Sequence, residues 1–153
     1  MKSVVIAVSL LFSLTCMAQE EYQLGLVLGS PTGVSGKMAI GKNRSIDGAL
    51  AYSIAHDLGL EFHADYLIEN AYTFAINAPA PLELYYGIGG RIAIINKGRH
   101  KDDLALGPRA PVGLSYTISN PNLQFFVEVA IILNFIPDTN ADIDGGIGAR
   151  YRF

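Results

Sequence analysis

Cysteine is almost absent from this sequence of 153 residues. The single cysteine, Cys16, falls inside an amino-terminal segment that we expect to be removed, so the remaining chain would carry no thiol. Disulfide bonds, thiolate catalysis and cysteine-bound metals are therefore not expected in the mature protein.

Charged residues are also scarce. They make up 16% of the chain, against 50% hydrophobic residues, and the mean hydropathy is +0.30. Even so, no stretch after residue 18 is apolar for long enough to form a membrane-spanning helix. This combination favours apolar residues spread along many short strands, as on a lipid-facing barrel, although a soluble protein with a buried core fits the same composition.

An excess of basic residues is lacking as well. The chain has 11 basic and 14 acidic residues, a net charge of −3. Loss of Lys2 with the amino-terminal segment leaves 10 basic and 14 acidic residues, a net charge of −4. Nucleic-acid binding requires a basic surface, so we expect no nucleic-acid partner.

The amino terminus resembles a secretory signal peptide over residues 1–18. Lys2 precedes an apolar run from Val4 to Leu14, and small residues at Cys16 and Ala18 follow. The predicted mature domain is 19–153, beginning at Gln19. A short membrane anchor and lipidation of Cys16 are alternatives, but the residues before Cys16 fit a lipoprotein signal poorly.

The last stretch, Ile143 to Phe153, alternates between two faces. The apolar face holds Ile143, Gly145, Ile147, Ala149, Tyr151 and Phe153, and the small or charged face holds Asp142, Asp144, Gly146, Gly148, Arg150 and Arg152. A period of two is typical of a β-strand with one apolar face. With its final phenylalanine, the stretch resembles the closing strand of bacterial outer-membrane barrels. In those proteins the pattern is read by the barrel-insertion machinery, so Tyr151 and Phe153 are the predicted assembly signal.

The same alternation divides residues 19–153 into eight predicted strands. They are Tyr22–Gly29, Val34–Gly41, Ser45–Ser53, a fourth beginning near Leu58, Leu82–Ile95, Leu104–Thr117, Gln124–Leu133 and the final stretch. No helical period appears in this region. The predicted fold class is therefore all-β, an eight-stranded antiparallel up-and-down transmembrane β-barrel. Tyrosines near strand ends are expected at the membrane interfaces: Tyr22, Tyr52, Tyr66, Tyr116 and Tyr151.

Two regions fit the pattern poorly. Pro108 and Pro111 lie within the sixth strand, where a missing N–H should interrupt pairing or produce a bulge. Residues from about Glu69 to Pro81 are the least periodic and are predicted to form a connecting loop.

The inward-facing positions carry charges of both signs. The predicted lumen network consists of Lys37, Asp47, Glu61, His63, Asp65, Arg91, Arg109, Glu128, Asp144 and Arg150. An eight-stranded barrel has an interior just wide enough for side chains, so a salt-bridged plug is favoured over a narrow conduit.

Three groups of residues contain side chains that could bind a metal or act in catalysis. Glu61, His63 and Asp65 point to one face at strand spacing and could bind a divalent metal with help from a second strand, but a hydrogen-bonded lumen cluster is favoured. Ser53, His56 and Asp57 have the residue types of a hydrolytic triad without its spacing. His100 is assigned to a solvated loop. We therefore expect no catalytic residues, no metal and no cofactor.

Several segments together resemble a family of small, mostly uncharacterised bacterial outer-membrane barrels that includes a spirochaetal surface protein. These segments are Gly29–Lys37, His63–Tyr66, Leu84–Arg91, Phe126–Ala130 and Gly145–Phe153. The resemblance implies an eight-stranded barrel in the outer membrane and implies no catalytic residues. The segment from Asn70 to Ala80 matches nothing in that pattern.

The favoured function is non-enzymatic: an envelope barrel, contacting outer-membrane lipids, that strengthens the membrane or presents loops to an unknown surface ligand. A narrow pore or an outer-membrane lipid hydrolase is the alternative. A soluble, lipocalin-like periplasmic carrier is a further alternative, in which the apolar faces would point inward.

Overall fold

The computed structural model describes residues 21–52, 58–77, 80–96 and 102–153. The predicted signal peptide, the hydrolytic candidates Ser53, His56 and Asp57, and the loop residue His100 lie outside the described residues.

Eight strands form a closed antiparallel barrel in chain order. They are β1 (Tyr22–Ser30), β2 (Thr32–Gly41), β3 (Arg44–Tyr52), β4 (Leu58–Phe74), β5 (Leu82–Ile95), β6 (Leu104–Ser119), β7 (Asn122–Asn134) and β8 (Asn140–Arg152). Each strand pairs with its neighbours in sequence, and β1 pairs with β8 to close the sheet. The predicted fold class, an all-β eight-stranded up-and-down barrel, is confirmed.

Side-chain alternation gives the barrel its polarity. Along β1, Leu24, Leu26 and Leu28 are exposed on the outside, at 55%, 59% and 57% of their surface. On β4 the odd-numbered residues Glu61 and His63 face inward and are buried. Apolar groups outside and charged groups inside are the reverse of a lipocalin-like carrier, and the structure overturns that alternative.

The two ends of the barrel follow from the antiparallel order. The first end carries Glu21 and Phe153 together with the turn at Lys42 and Asn43, and we call it the terminal end. There the Phe153 amide donates to the Tyr22 carbonyl at 2.9 Å. The far end carries Pro31 between β1 and β2 and the connection between β7 and β8.

Strand β4 is longer than the sequence pattern indicates. It continues to Phe74, so the predicted loop is wrong over residues 69–74. Between the pairs Ile68–Tyr86 and Tyr72–Leu84, β4 advances four residues while β5 advances two, which marks a bulge. Asn70 within it has a φ of 52°, a conformation that asparagine tolerates better than most residues. The bulge hides the period of two from a reading of the sequence.

The two prolines of β6 behave differently. Pro108 pairs with Gly90 of β5 without a register shift, so the interruption or bulge predicted there is not found against β5. Pairing with β5 holds at Val112 and Arg109, but no pairs form between them, opposite Gly87 and Ile88, although all these residues are described. The register does not shift across the gap. Pro111, within the gap, thus interrupts pairing and does not cause a bulge.

The interior contains an apolar cluster among the charges. Leu67, Tyr85 and Phe126 are buried together, and Val27 packs against them. Within the described residues, no helix is long and apolar enough to cross a membrane.

Candidate functional site

The candidate site is the barrel lumen. The structure buries all ten residues of the predicted network inside it, each at 8% exposure or less: Lys37, Asp47, Glu61, His63, Asp65, Arg91, Arg109, Glu128, Asp144 and Arg150. Strand alternation explains this placement, because each lies on the inward face of its strand. Their contacts fall into four groups, each built around one cation.

The group nearest the terminal end is built around Lys37. Its Nζ lies 2.6 Å from Oε1 of Glu69, and the Ser45 hydroxyl donates to the same oxygen at 2.6 Å. Glu69 reaches this position because β4 continues beyond the predicted strand end. Lys37 therefore has a direct anionic partner.

The second group is built around Arg150. Its NH2 donates to Oδ2 of Asp47 at 2.8 Å and to the Ser35 hydroxyl at 2.7 Å. The guanidinium also lies 4.0 Å from the centre of the Phe126 ring, a cation–π arrangement. Arg150 thus connects β8 to β2 and β3 across the lumen and packs on the apolar cluster.

Arg109 lies at the centre of the third group. Its NH1 donates to Oδ2 of Asp65, and its NH2 donates to Oε1 of Glu128 at 2.7 Å. The Tyr85 hydroxyl donates to the second oxygen of Glu128 at 2.9 Å. One guanidinium thereby bridges carboxylates from β4 and β7, two strands that are separated by β5 and β6 in the barrel.

The fourth group, toward the far end, surrounds Arg91. Its NH2 lies 2.7 Å from Oδ2 of Asp142 and donates to Oδ1 of Asn134 at 3.0 Å. Its NH1 lies 3.4 Å from Oδ1 of Asp144 and 3.9 Å from Oε2 of Glu61. Arg91 thus faces three carboxylates.

The predicted metal candidates are divided between two surroundings. Glu61 lies beside Arg91, and its Oε1 is 3.8 Å from Nδ1 of His63. Asp65 instead turns toward Arg109. The three ligand-type side chains that converge, with ligand atoms within 4.8 Å of one another, are His63, Asp65 and Glu128. The second strand that the spacing argument required is β7.

Six polar lumen contributors were not among the predicted site residues: Ser35, Ser45, Glu69, Tyr85, Asn134 and Asp142. The sequence did carry a signal for two of them. Asp142 continues the charged face of the last strand, and Glu69 continues the odd-numbered face of β4 past the predicted strand end. The other four, Ser35, Ser45, Tyr85 and Asn134, are uncharged, and only the folded geometry shows which charges they contact.

The lumen is wide at the terminal end and narrow inside. A polar cavity of about 400 Å³ opens there, lined by residues that include Lys37, Glu69 and Arg152. The interior cavity beside His63, Arg109 and Glu128 has only about 20 Å³ open to the centre of a water molecule. The charged groups therefore fill most of the bore.

An ion pair links the residue before β1 to the last residue of β8 at the terminal end of the barrel. The Nε of Arg152 donates to Oε1 of Glu21, which lies just before β1. This hydrogen bond is the main reason that the pKa of Glu21 lies below its ordinary value of 4.5. The pair adds an electrostatic contact to the β1–β8 closure.

No protein-family model matches the chain, and no curated protein matches it in sequence. Among solved structures, the fold is similar to the crystal structure of Neisserial surface protein A. The two sequences are 16% identical, the match covers 88% of this chain and 94% of that chain, and the TM-score is 0.43. At these values the fold assignment rests on the strand pairing of this chain itself. The resemblance to the family with a spirochaetal member stays a prediction.

Proposed function

We propose that this chain is a non-enzymatic β-barrel of the bacterial outer membrane, with a lumen plugged by buried ion pairs. Its role is to stabilise the envelope or to present the loops of its far end to a surface partner. The observation that carries the proposal is the polarity of the barrel: large apolar side chains outside and paired charges inside.

The outer surface would be unfavourable in water. Each of the eight strands carries leucine, isoleucine, valine or aromatic side chains that face outward and are more than a third exposed. Each such side chain loses roughly 1.5–3 kcal/mol of transfer free energy when it faces water instead of an apolar medium. A bilayer provides that medium, and a closed barrel satisfies the backbone hydrogen bonds that lipid cannot.

The plug supports a structural role over transport. Every lumen cation has a carboxylate within 4 Å: Lys37 with Glu69, Arg91 with Asp142, Arg109 with Glu128 and Arg150 with Asp47. A charge buried without a partner would be strongly unfavourable, and these pairs tie strands together across the barrel. The ion pairs thus hold mostly non-adjacent strands together inside the barrel.

The far end offers the surface for a partner. Three of its four connections span residues 53–57, 96–103 and 135–139. At the terminal end, two of the three connections are the residue pairs 42–43 and 120–121, and the third spans residues 75–81. Longer loops outside and short turns on the periplasmic side are typical of outer-membrane barrels. We therefore place the terminal end in the periplasm.

The assembly signal is part of the proposal. Tyr151 and Phe153 are exposed on the outside, and their rings lie 5.2 Å apart. We propose that the barrel-insertion machinery recognises this pair, after a signal peptide over residues 1–18 has directed export.

Membrane fractionation with heat-modifiable gel migration tests the location. We expect the full chain in the outer membrane, with faster migration when unheated, and loss of the Phe153→Ala variant from that fraction. Phe135→Ala is the matched control, because Phe135 is also exposed but lies between β7 and β8. A full-length protein found soluble in the periplasm would overturn the proposal.

Alanine at Ser53 and at His56 tests the enzymatic alternative. We expect the lipid composition of the outer membrane to stay unchanged on expression of either variant or of the original chain. A change in acyl-chain content that requires Ser53 or His56 would support a lipid hydrolase instead.

A further inference from the structure

We infer that the lumen contains a binding site for one divalent transition-metal ion, formed by His63 and Asp65 of β4 and Glu128 of β7. The site lies inside the plug, between two strands that β5 and β6 separate in the barrel wall. It goes beyond the proposed function, because an envelope barrel closed by ion pairs requires no metal.

The ligand atoms are close to a coordinating arrangement. One imidazole nitrogen of His63 and one oxygen each from Asp65 and Glu128 lie within 4.8 Å of one another. Three atoms bound tetrahedrally to Zn²⁺ at its usual bond lengths lie roughly 3.4 Å apart. Small side-chain rotations would therefore bring the three atoms onto one ion. Histidine nitrogen and carboxylate oxygen are both zinc ligands, and three protein ligands leave the fourth position for water.

Two of these side chains carry buried atoms that lack hydrogen-bond partners among the described residues. Nδ1 of His63 and Oδ1 of Asp65 are both in this position, and their residues are 5% and 2% exposed. A buried polar atom without a partner costs about 1–3 kcal/mol. A cation bound at the site would satisfy the unpartnered Asp65 oxygen, and one ring nitrogen of His63 lies close enough to share it.

Charge balance favours a cation at the same place. The lumen contains four basic groups paired as described above, and seven carboxylates face them: Asp47, Glu61, Asp65, Glu69, Glu128, Asp142 and Asp144. Buried carboxylates in excess of their cations are unfavourable unless another positive charge is present. A divalent ion beside His63 supplies it.

Arg109 constrains the site without blocking it. It donates to Oδ2 of Asp65 and Oε1 of Glu128, which leaves Oδ1 of Asp65 for a ligand. Ligating carboxylates are commonly held in orientation by such outer hydrogen bonds. Its positive charge also weakens cation binding, so the site should favour ions that bind imidazole well, such as Zn²⁺, over Mg²⁺ or Ca²⁺.

The interior cavity supplies space and an access route. It is lined by His63, Glu128 and Asp144 and extends to Ser30 and Pro31 at the far end. Its volume of about 20 Å³ open to a water centre fits a single small particle. An ion could thus reach His63 from the β1–β2 turn.

Calorimetric titration of the refolded full-length barrel with Zn²⁺ tests the site. We expect one Zn²⁺ per barrel, and an affinity at least roughly 100-fold lower in His63→Ala, because even outer-shell partners of a metal site change affinity 10- to 100-fold. Two controls should bind like the original chain. Glu21→Gln removes a carboxylate that pairs with Arg152 at the terminal end, and the double variant His56→Ala/His100→Ala removes the other histidines.

Thermal unfolding keeps the test independent of how well His63→Ala folds. Zn²⁺ should raise the unfolding midpoint of the original chain, whereas Mg²⁺ at equal concentration should not. The inference is overturned if Zn²⁺ does not bind, or if folded His63→Ala binds it equally well. It is also overturned if only the His56→Ala/His100→Ala variant loses binding. None of these outcomes depends on where the barrel resides in the cell.

Discussion

Arg109 is a residue whose loss should disturb the lumen strongly. It is 3% exposed and bridges Asp65 and Glu128, so two buried carboxylates share one cation. Removing one partner of a buried ion pair leaves an uncompensated charge, which is far more costly than losing a surface pair. The energetic importance of each lumen charge therefore depends on how many partners it leaves behind.

Replacement of Arg109 by methionine, which keeps much of the volume, should lower the free energy of unfolding by about 3–5 kcal/mol. Urea unfolding of the barrel in lipid vesicles measures it. Arg152→Met is the matched control: about a third of its own side chain and of its partner Glu21 is exposed, so the loss of stability should be below about 1 kcal/mol. Equal losses in the two variants would contradict the bridging role. The triple variant Arg109→Met/Asp65→Asn/Glu128→Gln should recover part of the stability.

The Glu21–Arg152 pair should contribute to stability in a pH-dependent way. The hydrogen bond from Arg152 lowers the pKa of Glu21 below 4.5, so folding favours the ionised form. The contribution is then fully present above pH 4.5 and is lost as the pH falls through the lower pKa of the folded state. We expect a stability difference between the original chain and Glu21→Gln that is constant from pH 7 to about 5 and shrinks below about 4.5. A difference that grew on acidification would contradict this assignment.

At the scale of elements, close packing inside the barrel depends on small residues between bulky charged ones. Gly89 and Gly90 are neighbours on β5 but face opposite sides. A Cβ at Gly89 would overlap the Ala64 carbonyl oxygen and Oδ1 of Asp65, and would lie 2.6 Å from the Cα of Asp65. A Cβ at Gly90 would have its nearest neighbour, the Gly107 carbonyl oxygen, at 3.9 Å.

Alanine should therefore lower stability at Gly89 and have little effect at Gly90. Gly89→Ala must displace the backbone of β4 or the Asp65 side chain, and we expect a loss of about 1–3 kcal/mol, typical of overpacking. Gly90→Ala adds a methyl group on the outside and should change stability little. Unfolding of both variants in vesicles measures the difference. Similar stability for the two would show that β5 does not approach β4 closely on its inner side.

The strands were predictable because a period of two survives in most of them. In β1, β5 and β8 the alternation alone indicates which side chains share a face. In β4 the bulge around Asn70 adds two residues relative to β5 and masks the pattern, so the strand's continuation to Phe74 was missed. The grouping of His63 with Glu128 was also beyond the sequence, since β4 and β7 lie far apart in the chain. Contacts across the lumen depend on side-chain reach, which strand spacing does not encode.

At the scale of the whole molecule, polarity and closure work together. Closing β1 against β8 removes both sheet edges, so the backbone has no unpaired strand to expose to lipid. The apolar outside then suits a bilayer, and the charged inside must be self-sufficient. Four ion-paired groups, spread from Lys37 near the terminal end to Arg91 near the far end, give each lumen lysine and arginine a carboxylate partner.

Such a plug should not conduct ions. The interior cavity beside Arg109 and Glu128 has about 20 Å³ open to a water centre, too little for an ion with its hydration shell. Barrels reconstituted into planar bilayers should show no steady open current at neutral pH, under conditions where a porin used as a positive control conducts. A steady current that disappears in Arg91→Gln or Glu128→Gln would instead support the narrow-pore alternative, because both residues line the bore. A current unchanged by either substitution would indicate a leak between the barrel and the lipid, and it would be consistent with a closed lumen.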